Sequence, residues 1–346
     1  MELHEVELMD PGPNQVMIRL LATGLCHSDL HVLDGHSSSQ FPLVLGHEGL
    51  GEVISLGEGV ADFAIGDRVI PFLIPDCGAC SFCRSGRTNL CVEFGARLQR
   101  GHAPFLLHGK PIKAFAGLGT FAEKTVVMAD MLTKVHPAAR PDHGCCIGCA
   151  VTTGLGAALI TAKVTPGSSV AVFGAGGVGL SVIQGAKLAG ASRIIAIDKN
   201  PAKEVVARTV GATDFLIPNE KGVVAQVQAL VGAGVDFAFE CVGSPVLAEQ
   251  ALEASHPAWG LSVCVGLMST GSRLTAQPMS LLTGRRWTGS LMGGAKRQDV
   301  ARYVDMYVAG EYDLEPVVSH RLSHNEINRG FEMMRNGESI RSVVLY

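Results

Sequence analysis

Four cysteines, Cys77, Cys80, Cys83 and Cys91, fall within fifteen positions in the run DCGACSFCRSGRTNLC. Thiolates bind Zn2+ tetrahedrally at about 2.3 Å, and a C-x2-C-x2-C-x7-C loop can wrap all four around one ion. A site closed by four sulfurs leaves no position for water, so it would hold a fold together and catalyse nothing. The alternatives are disulfides or scattered core thiols. Disulfides suit secreted chains, and no charged-then-apolar signal segment is evident at the start. Close, regular spacing with Gly78 and Gly86 interleaved favours the metal loop.

A second chemistry is written in VAVFGAGGVG. Gly174, Gly176 and Gly179 spell G-x-G-x-x-G, after a strand-like run and at the start of a helix-like one, with Gly177 and Val178 in the same turn. The first glycine permits a tight turn, the second lets a pyrophosphate approach the backbone, and the third lets helix and strand pack closely. The helix N-terminus adds N–H groups and a positive dipole end. Asp198 follows nineteen residues after Gly179, at the end of the next strand-like run, RIIAID. A carboxylate there accepts hydrogen bonds from the adenosine ribose hydroxyls and repels a 2′-phosphate, so NAD is expected over NADP. Lys203 could also reach the ribose, whereas Lys199 reads as an ordinary surface lysine.

Such sites need two kinds of scaffold, and the chain of 346 residues is long enough for two domains. From about Val16 to Val135, short alternating runs such as QVMIRLLATG, GLGEVISLG, DRVIPFLIP and TFAEKTVVM are punctuated by Gly, Pro and Asp. They predict a barrel-like all-β domain. After Cys149 the pattern becomes strand, helix, strand, helix: SSVAVFG, GVGLSVIQGAKLAG, RIIAID, PAKEVVARTVG, then VDFAFECVG and GLSVCVGL. That alternation predicts a doubly wound parallel sheet, making the chain α/β overall. The last fifty or so residues return to helix and a final strand, SIRSVVLY. A net charge of -4 without basic clusters argues against a nucleic-acid partner. No apolar run is read as reaching the roughly 18 residues that span a bilayer, so no membrane partner is expected. Ten cysteines suit a reducing, cytoplasmic setting.

The segments GLCHSDLHVLDG, LGHEGLGEV, IGCAVTTGLG, VAVFGAGGVG and ESIRSVVLY together resemble the zinc-dependent medium-chain alcohol dehydrogenases, over nearly the whole chain. The resemblance is to the long-loop, dimeric, liver-type branch. It implies a GroES-like β-barrel catalytic domain (1–150 and 292–346), a Rossmann NAD-binding domain (151–291) and a site in the cleft between them. It further implies a catalytic zinc on Cys26, His47 and Cys149, besides the structural zinc of the four-cysteine loop. Two thiolates and an imidazole suit zinc, and three protein ligands leave a fourth position for water or substrate. Zinc would ease ionisation of an alcohol, and hydride would pass to the nicotinamide C4. Asp29 matches the acid that orients the zinc histidine, and Glu48 matches a nearby acid that can approach the metal. Ser28 and His31 match a proton relay ending at an imidazole whose ordinary pKa is about 6.5. Further cofactor-lining positions are His27, Thr153, Val178, Val265 and Arg341. A histidine at position 27, where arginine is common, implies a weaker hold on the pyrophosphate.

Relatives usually carry a further leading strand before the segment matching LHEVELMDPGP, which bears on the barrel edge. Cys145, Cys146, Cys241 and Cys264 have no assigned role and are expected to be inert buried thiols. The glutathione-dependent formaldehyde dehydrogenases share the scaffold but use arginine where this chain has Gly95, and commonly tyrosine where it has His31. That branch is therefore not expected. The positions matching the substrate pocket are Ser28, Leu73, Ala96, Phe115, Ala116, Leu267 and Leu291. Smaller residues at 73, 96 and 116 leave volume for a bulky hydrophobic alcohol, aryl or terpenoid, rather than ethanol. The segment 94–119 matches the long loop of dimeric members, so a homodimer is expected. The rival readings are a nicotinoprotein with permanently held NAD, and a non-catalytic dinucleotide sensor.

Overall fold

The structure is a computed structural model that describes residues 1–36, 39–99 and 103–346, without the side chains of 97–99. The segment 94–119 therefore lies partly outside the described residues. The chain divides into two compact units, Met1–Cys149 with Lys296–Tyr346, and Ala150–Ala295.

In the first unit the strand Gln15–Gly24 is the organiser. Val16, Ile18, Leu20 and Ala22 alternate inward and are fully or almost fully buried, as a period of two requires. They enter a core with Val53, Val69, Val127 and Leu132. The spatial order of the seven-stranded sheet is His320–Ser323, Ser342–Leu345, Gln15–Gly24, Glu48–Leu56, Arg68–Pro71 and Leu132–Lys134, with Lys124–Met128 also paired to Gln15–Gly24. Register is what matters for chemistry. Gly24 pairs with Glu48 and with Val343. Cys26, His47 and Arg341 thus lie one or two residues beyond three neighbouring strand ends. A separate four-stranded sheet runs Glu7–Leu8, Phe105–Leu107, Lys110–Ala114 and Leu43–Val44.

The second unit is a six-stranded parallel sheet in the order Asp214–Leu216, Arg193–Ile197, Ser169–Phe173, Phe237–Glu240, Leu261–Cys264, Arg286–Gly289. The order reverses between Ser169–Phe173 and Phe237–Glu240, the switch point at whose carboxyl end ligands bind in open α/β sheets. The last strand, RWTG, gave no sequence signal: it is short, partly exposed and flanked by no alternation.

The sequence predicts no apolar run of about 18 residues, but the structure holds one. The helical run Pro141–Ala162 has 22 residues and is apolar enough to cross a membrane by length and composition. The sequence reading takes Gly, Ser, Gln or Lys to break such stretches; of these only glycine occurs here, and it is small enough to sit inside a packed helix. Its apolar window is 83% buried within the protein, which makes it a core helix.

Candidate active site and metal centres

The four predicted structural ligands converge. The sulfur atoms of Cys77, Cys80, Cys83 and Cys91 all lie within 4.8 Å of one another. Gly78 and Gly86 adopt φ of +68° and +83°, turns that an L side chain rarely makes. Backbone N–H groups donate to sulfur: Cys80 to Cys77 at 3.2 Å, Cys83 to Cys80 at 3.4 Å, Cys77 to Cys91 at 3.4 Å. The N–H groups of Cys83 and Val92 bring the Cys80 thiol down to about 6. Desolvation, with Cys80 and Cys91 alongside, pushes Cys83 up to about 12. Four adjoining sulfurs cannot all ionise unaided, and a divalent cation is the charge that lets them.

The second group is Cys26, His47, Glu48 and Cys149, whose ligand atoms also lie within 4.8 Å of one another. Cys26 precedes the helix His27–Leu33, and Asp29, in its first turn, is fully buried. The Asp29 carboxylate accepts from the Gly46 N–H at 3.0 Å and lies 3.1–3.2 Å from His47 Nδ1. That keeps a proton on Nδ1 and makes Nε2, buried and without a hydrogen-bond partner among the described residues, the nitrogen that could face a metal. Burial alone would lower the His47 pKa, but Asp29 and then Cys26 outweigh it and hold it well above the usual range. A hydrogen bond from Cys149 holds Cys26 well below the ordinary thiol range. The same bond, with burial, pushes Cys149 well above it. Two sulfurs sharing a proton beside an orphaned imidazole nitrogen fit zinc, which displaces that proton.

Cys149 sits on a π-helical turn, Ile147–Val151, inside the long helical run. Such turns re-aim a side chain by widening the helix, often at functional sites. Glu48 is fully buried; its oxygens lie 3.1 and 3.3 Å from Arg341 Nη1, which also donates to the Leu25 carbonyl at 2.7 Å. Arg341, expected beside the cofactor, is therefore buried in the first unit as the counter-charge of Glu48. Gly24 completes this arrangement and was missed in the sequence: a Cβ there would collide with Glu48 Oε2. Only the register that opposes Gly24 to Glu48 reveals it.

Ser28 and His31 lie three apart on one helical turn, with Ser28 Oγ 3.7 Å from Cys26 Sγ. His31 is half-buried and His27 exposed. Of the pocket positions, Phe115 meets the His47 ring edge-on at 5.6 Å. Leu73 and Ala116 are half-buried against the first-unit core, and Ala96 is exposed. Ala116 holds φ 52°, a left-handed conformation rare for a residue with a side chain and typical of ligand sites. Leu267 and Leu291 are exposed on the second unit. Cys145 and Cys146 are buried as expected, whereas Cys241 and Cys264 are only partly buried, a correction that follows from their place at strand ends. All ten cysteines are free thiols.

In the second unit the three fingerprint glycines do three different things. Gly174 takes φ +96° to turn the chain out of its strand. A Cβ on Gly179 would collide with the Gly174 carbonyl oxygen, so helix and strand touch there. A Cβ on Gly176 would meet nothing within 4 Å among the described residues, leaving the open backbone that a pyrophosphate needs. Gly177 and Val178 open the helix Gly177–Leu188. Asp198 Oδ2 accepts from the Ala175 N–H and from Lys203 Nζ, both at 2.9 Å, and Oδ1 from the Asn200 N–H at 2.9 Å. The expected acid and lysine are thus one ion pair tied to the glycine turn. Thr153 donates to Met292 Sδ at 3.5 Å, and Val265 donates its N–H to the Glu240 carbonyl at 2.8 Å.

These features, a barrel-type unit with two cysteine-based metal sites and a parallel sheet with a dinucleotide turn, define a zinc-dependent dehydrogenase. Residues 12–137 match the alcohol dehydrogenase GroES-like domain, and residues 177–309 match the zinc-binding dehydrogenase domain. An S-(hydroxymethyl)glutathione dehydrogenase from Escherichia coli O1:K1 / APEC is 44% identical, over 100% of this chain and 96% of that one. An alcohol dehydrogenase zinc-binding domain protein from Burkholderia ambifaria superposes with a TM-score of 0.93 at 30% identity, covering 98% of this chain and 94% of the other. Benzyl alcohol dehydrogenase from Acinetobacter calcoaceticus gives 0.91 at 30% identity, with 99% and 95% covered. The chain belongs to the zinc-dependent medium-chain alcohol dehydrogenase family, and it is an oxidoreductase acting on small molecules. The similarity thus includes a glutathione-linked dehydrogenase, the branch not expected from Gly95 and His31.

Proposed function

We propose that the protein is an NAD-linked alcohol dehydrogenase that oxidises a bulky hydrophobic alcohol, aryl or terpenoid, reversibly to its aldehyde or ketone. The observation that carries the metal chemistry is the orphaned His47 Nε2 beside Cys26 and Cys149. Cys26, His47 and Cys149 would hold a zinc ion that would supply Lewis-acid polarisation of the alcohol oxygen, and the Gly174–Gly179 turn would hold the NAD that supplies the hydride acceptor. Asp29 fixes the tautomer and direction of His47. Ser28 takes the hydroxyl proton and His31, one turn on, returns it to solvent. His27 contributes to holding the pyrophosphate, and Arg341 keeps the buried Glu48 charge balanced. The ion pair of Asp198 with Lys203 supports NAD over NADP.

The small residues at positions 96 and 116, Leu73, and the aromatic edge of Phe115 on His47 support a roomy apolar pocket, to which Leu267 and Leu291 would add apolar surface. A second reading, oxidation of S-(hydroxymethyl)glutathione, is favoured by 44% identity to a dehydrogenase of that name. Comparing kcat/KM for benzyl-type alcohols, ethanol and S-(hydroxymethyl)glutathione separates them. The proposal requires the benzyl-type value to be highest; a higher value for either other substrate overturns it.

A homodimer is supported by the strand Arg286–Gly289, which among the described residues pairs on one side only, and by exposed Met279, Leu281 and Leu282 nearby in the chain. Ten free thiols support a reducing, cytoplasmic setting.

A further inference from the structure

Glu240 ends the strand Phe237–Glu240 at the switch point, and its side chain is fully buried. A lone buried carboxylate in a sheet core is costly unless it is paired or hydrogen-bonded. Here one oxygen is saturated: Oε1 accepts from the N–H groups of Val242 and Gly243 at 2.8 Å and of Ser244 at 3.2 Å. The other, Oε2, has no hydrogen-bond partner among the described residues. Burial pushes the Glu240 carboxyl up even against those three donors and the Gly266 N–H.

The loop that Glu240 gathers is closely packed on two sides, through the Val242 side chain against Gly174 and backbone to backbone against 265–267. A Cβ on Gly174, the first fingerprint glycine, would meet Val242 at 2.5 Å. A Cβ on Gly243 would collide with the Leu267 carbonyl, and one on Gly266 with the Gly243 nitrogen. Gly243 itself holds φ +89°. The Glu240 main-chain carbonyl also accepts from Val265 at 2.8 Å and Gly266 at 2.9 Å. One residue therefore ties together the glycine turn, the 241–244 loop and the 265–267 loop.

We infer that Glu240 is a positioning residue for the dinucleotide: by pinning 242–244 it sets the spacing between the glycine turn and the 265–267 loop. This rests on the reading of the second unit as a dinucleotide site. Loss of the carboxylate frees three N–H groups at once, and the loop is no longer pinned against Gly174. Glutamine preserves Oε1 as an acceptor and replaces only the unpartnered Oε2.

The test is NADH and NADPH binding by fluorescence titration to the zinc-loaded full chain, with KM for NAD and kcat measured separately. Glu240→Ala should raise Kd for NADH about tenfold. It should raise KM for NAD in step, with zinc content and kcat at saturating NAD within about threefold of the parent. Glu240→Gln should bind within about threefold of the parent, and Glu240→Asp, one methylene shorter, should fall between. If Glu240→Ala does not fold, the Gln and Asp variants decide by the same ordering. Asp equal to the parent, Gln as weak as Ala, or a folded Ala variant with unchanged Kd overturns the positioning role. A parent that binds neither NADH nor NADPH overturns the dinucleotide reading itself, and this inference with it.

Discussion

Replacing Asp198 with asparagine should invert much of the cofactor preference, and the size of the effect follows from what the carboxylate holds. Both of its oxygens are engaged: Oδ2 with Ala175 N–H and Lys203 Nζ, Oδ1 with Asn200 N–H, all at 2.9 Å. Asparagine keeps one oxygen for a backbone donor but presents an NH2 that cannot accept from Ala175, Lys203 or a ribose hydroxyl. Hydrogen bonds to a charged group are worth about 1.5–3 kcal/mol. Losing that interaction with the ribose should therefore lower kcat/KM for NAD by roughly 10- to 150-fold. The same change removes the negative charge that opposes a 2′-phosphate and releases Lys203 to meet it, so NADP should improve by about tenfold at low salt. The NAD/NADP ratio should fall by two to three orders of magnitude in all, roughly the product of the two effects. The assay is initial rate against each cofactor with one alcohol, at fixed pH and ionic strength, with zinc content as a control. A ratio that stays within about threefold would refute the assignment of Asp198 as the ribose acceptor.

Asp29→Ala should leave His47 Nδ1 without its acceptor and weaken catalytic-site zinc by about 10- to 100-fold in chelator competition; undiminished affinity counts against the orienting role. Cys80→Ser removes the sulfur that both ligates and caps the helix Ser81–Arg84. It should cost one zinc per chain by metal analysis and lower thermal stability, and full zinc content would exclude the four-sulfur site. His143, held below its ordinary pKa by burial against the pull of Asp142 and Glu315 and with Arg140 and Arg321 close by, should make stability depend on pH. The unfolded chain binds the proton first, so the contribution is complete above about pH 6.5 and is lost as pH falls through the lower folded value. Urea denaturation of His143→Gln should show a smaller loss on acidification from pH 7, and an unchanged slope would place the proton elsewhere.

Much of this was legible because it is local. The alternation in QVMIRLLATG gives the strand Gln15–Gly24 to the residue, and the four-cysteine spacing gives a loop whose sulfurs do meet. The fingerprint turn also reads directly, since each glycine answers a constraint within a few residues. What stayed hidden depends on register or on departures from regular geometry. Gly24 matters because it opposes Glu48, twenty-four residues away, and Arg341 because the final strand pairs antiparallel beside Leu25. The π-helical turn at Cys149 and the left-handed Ala116 have no compositional mark, because packing rather than propensity imposes them. Glu240 looks in sequence like the polar end of a strand; only its burial and its three backbone donors distinguish it.

The central claim is that Cys26, His47 and Cys149 hold a second zinc in addition to the four-cysteine loop. Metal analysis of the purified chain beside Cys149→Ser tests it most directly. The account predicts two zinc ions per chain in the parent, one for each cysteine-bearing ligand group, and one in the variant, which should retain the structural ion and its fold. A parent that carries a single zinc, or a variant that keeps both, would contradict it.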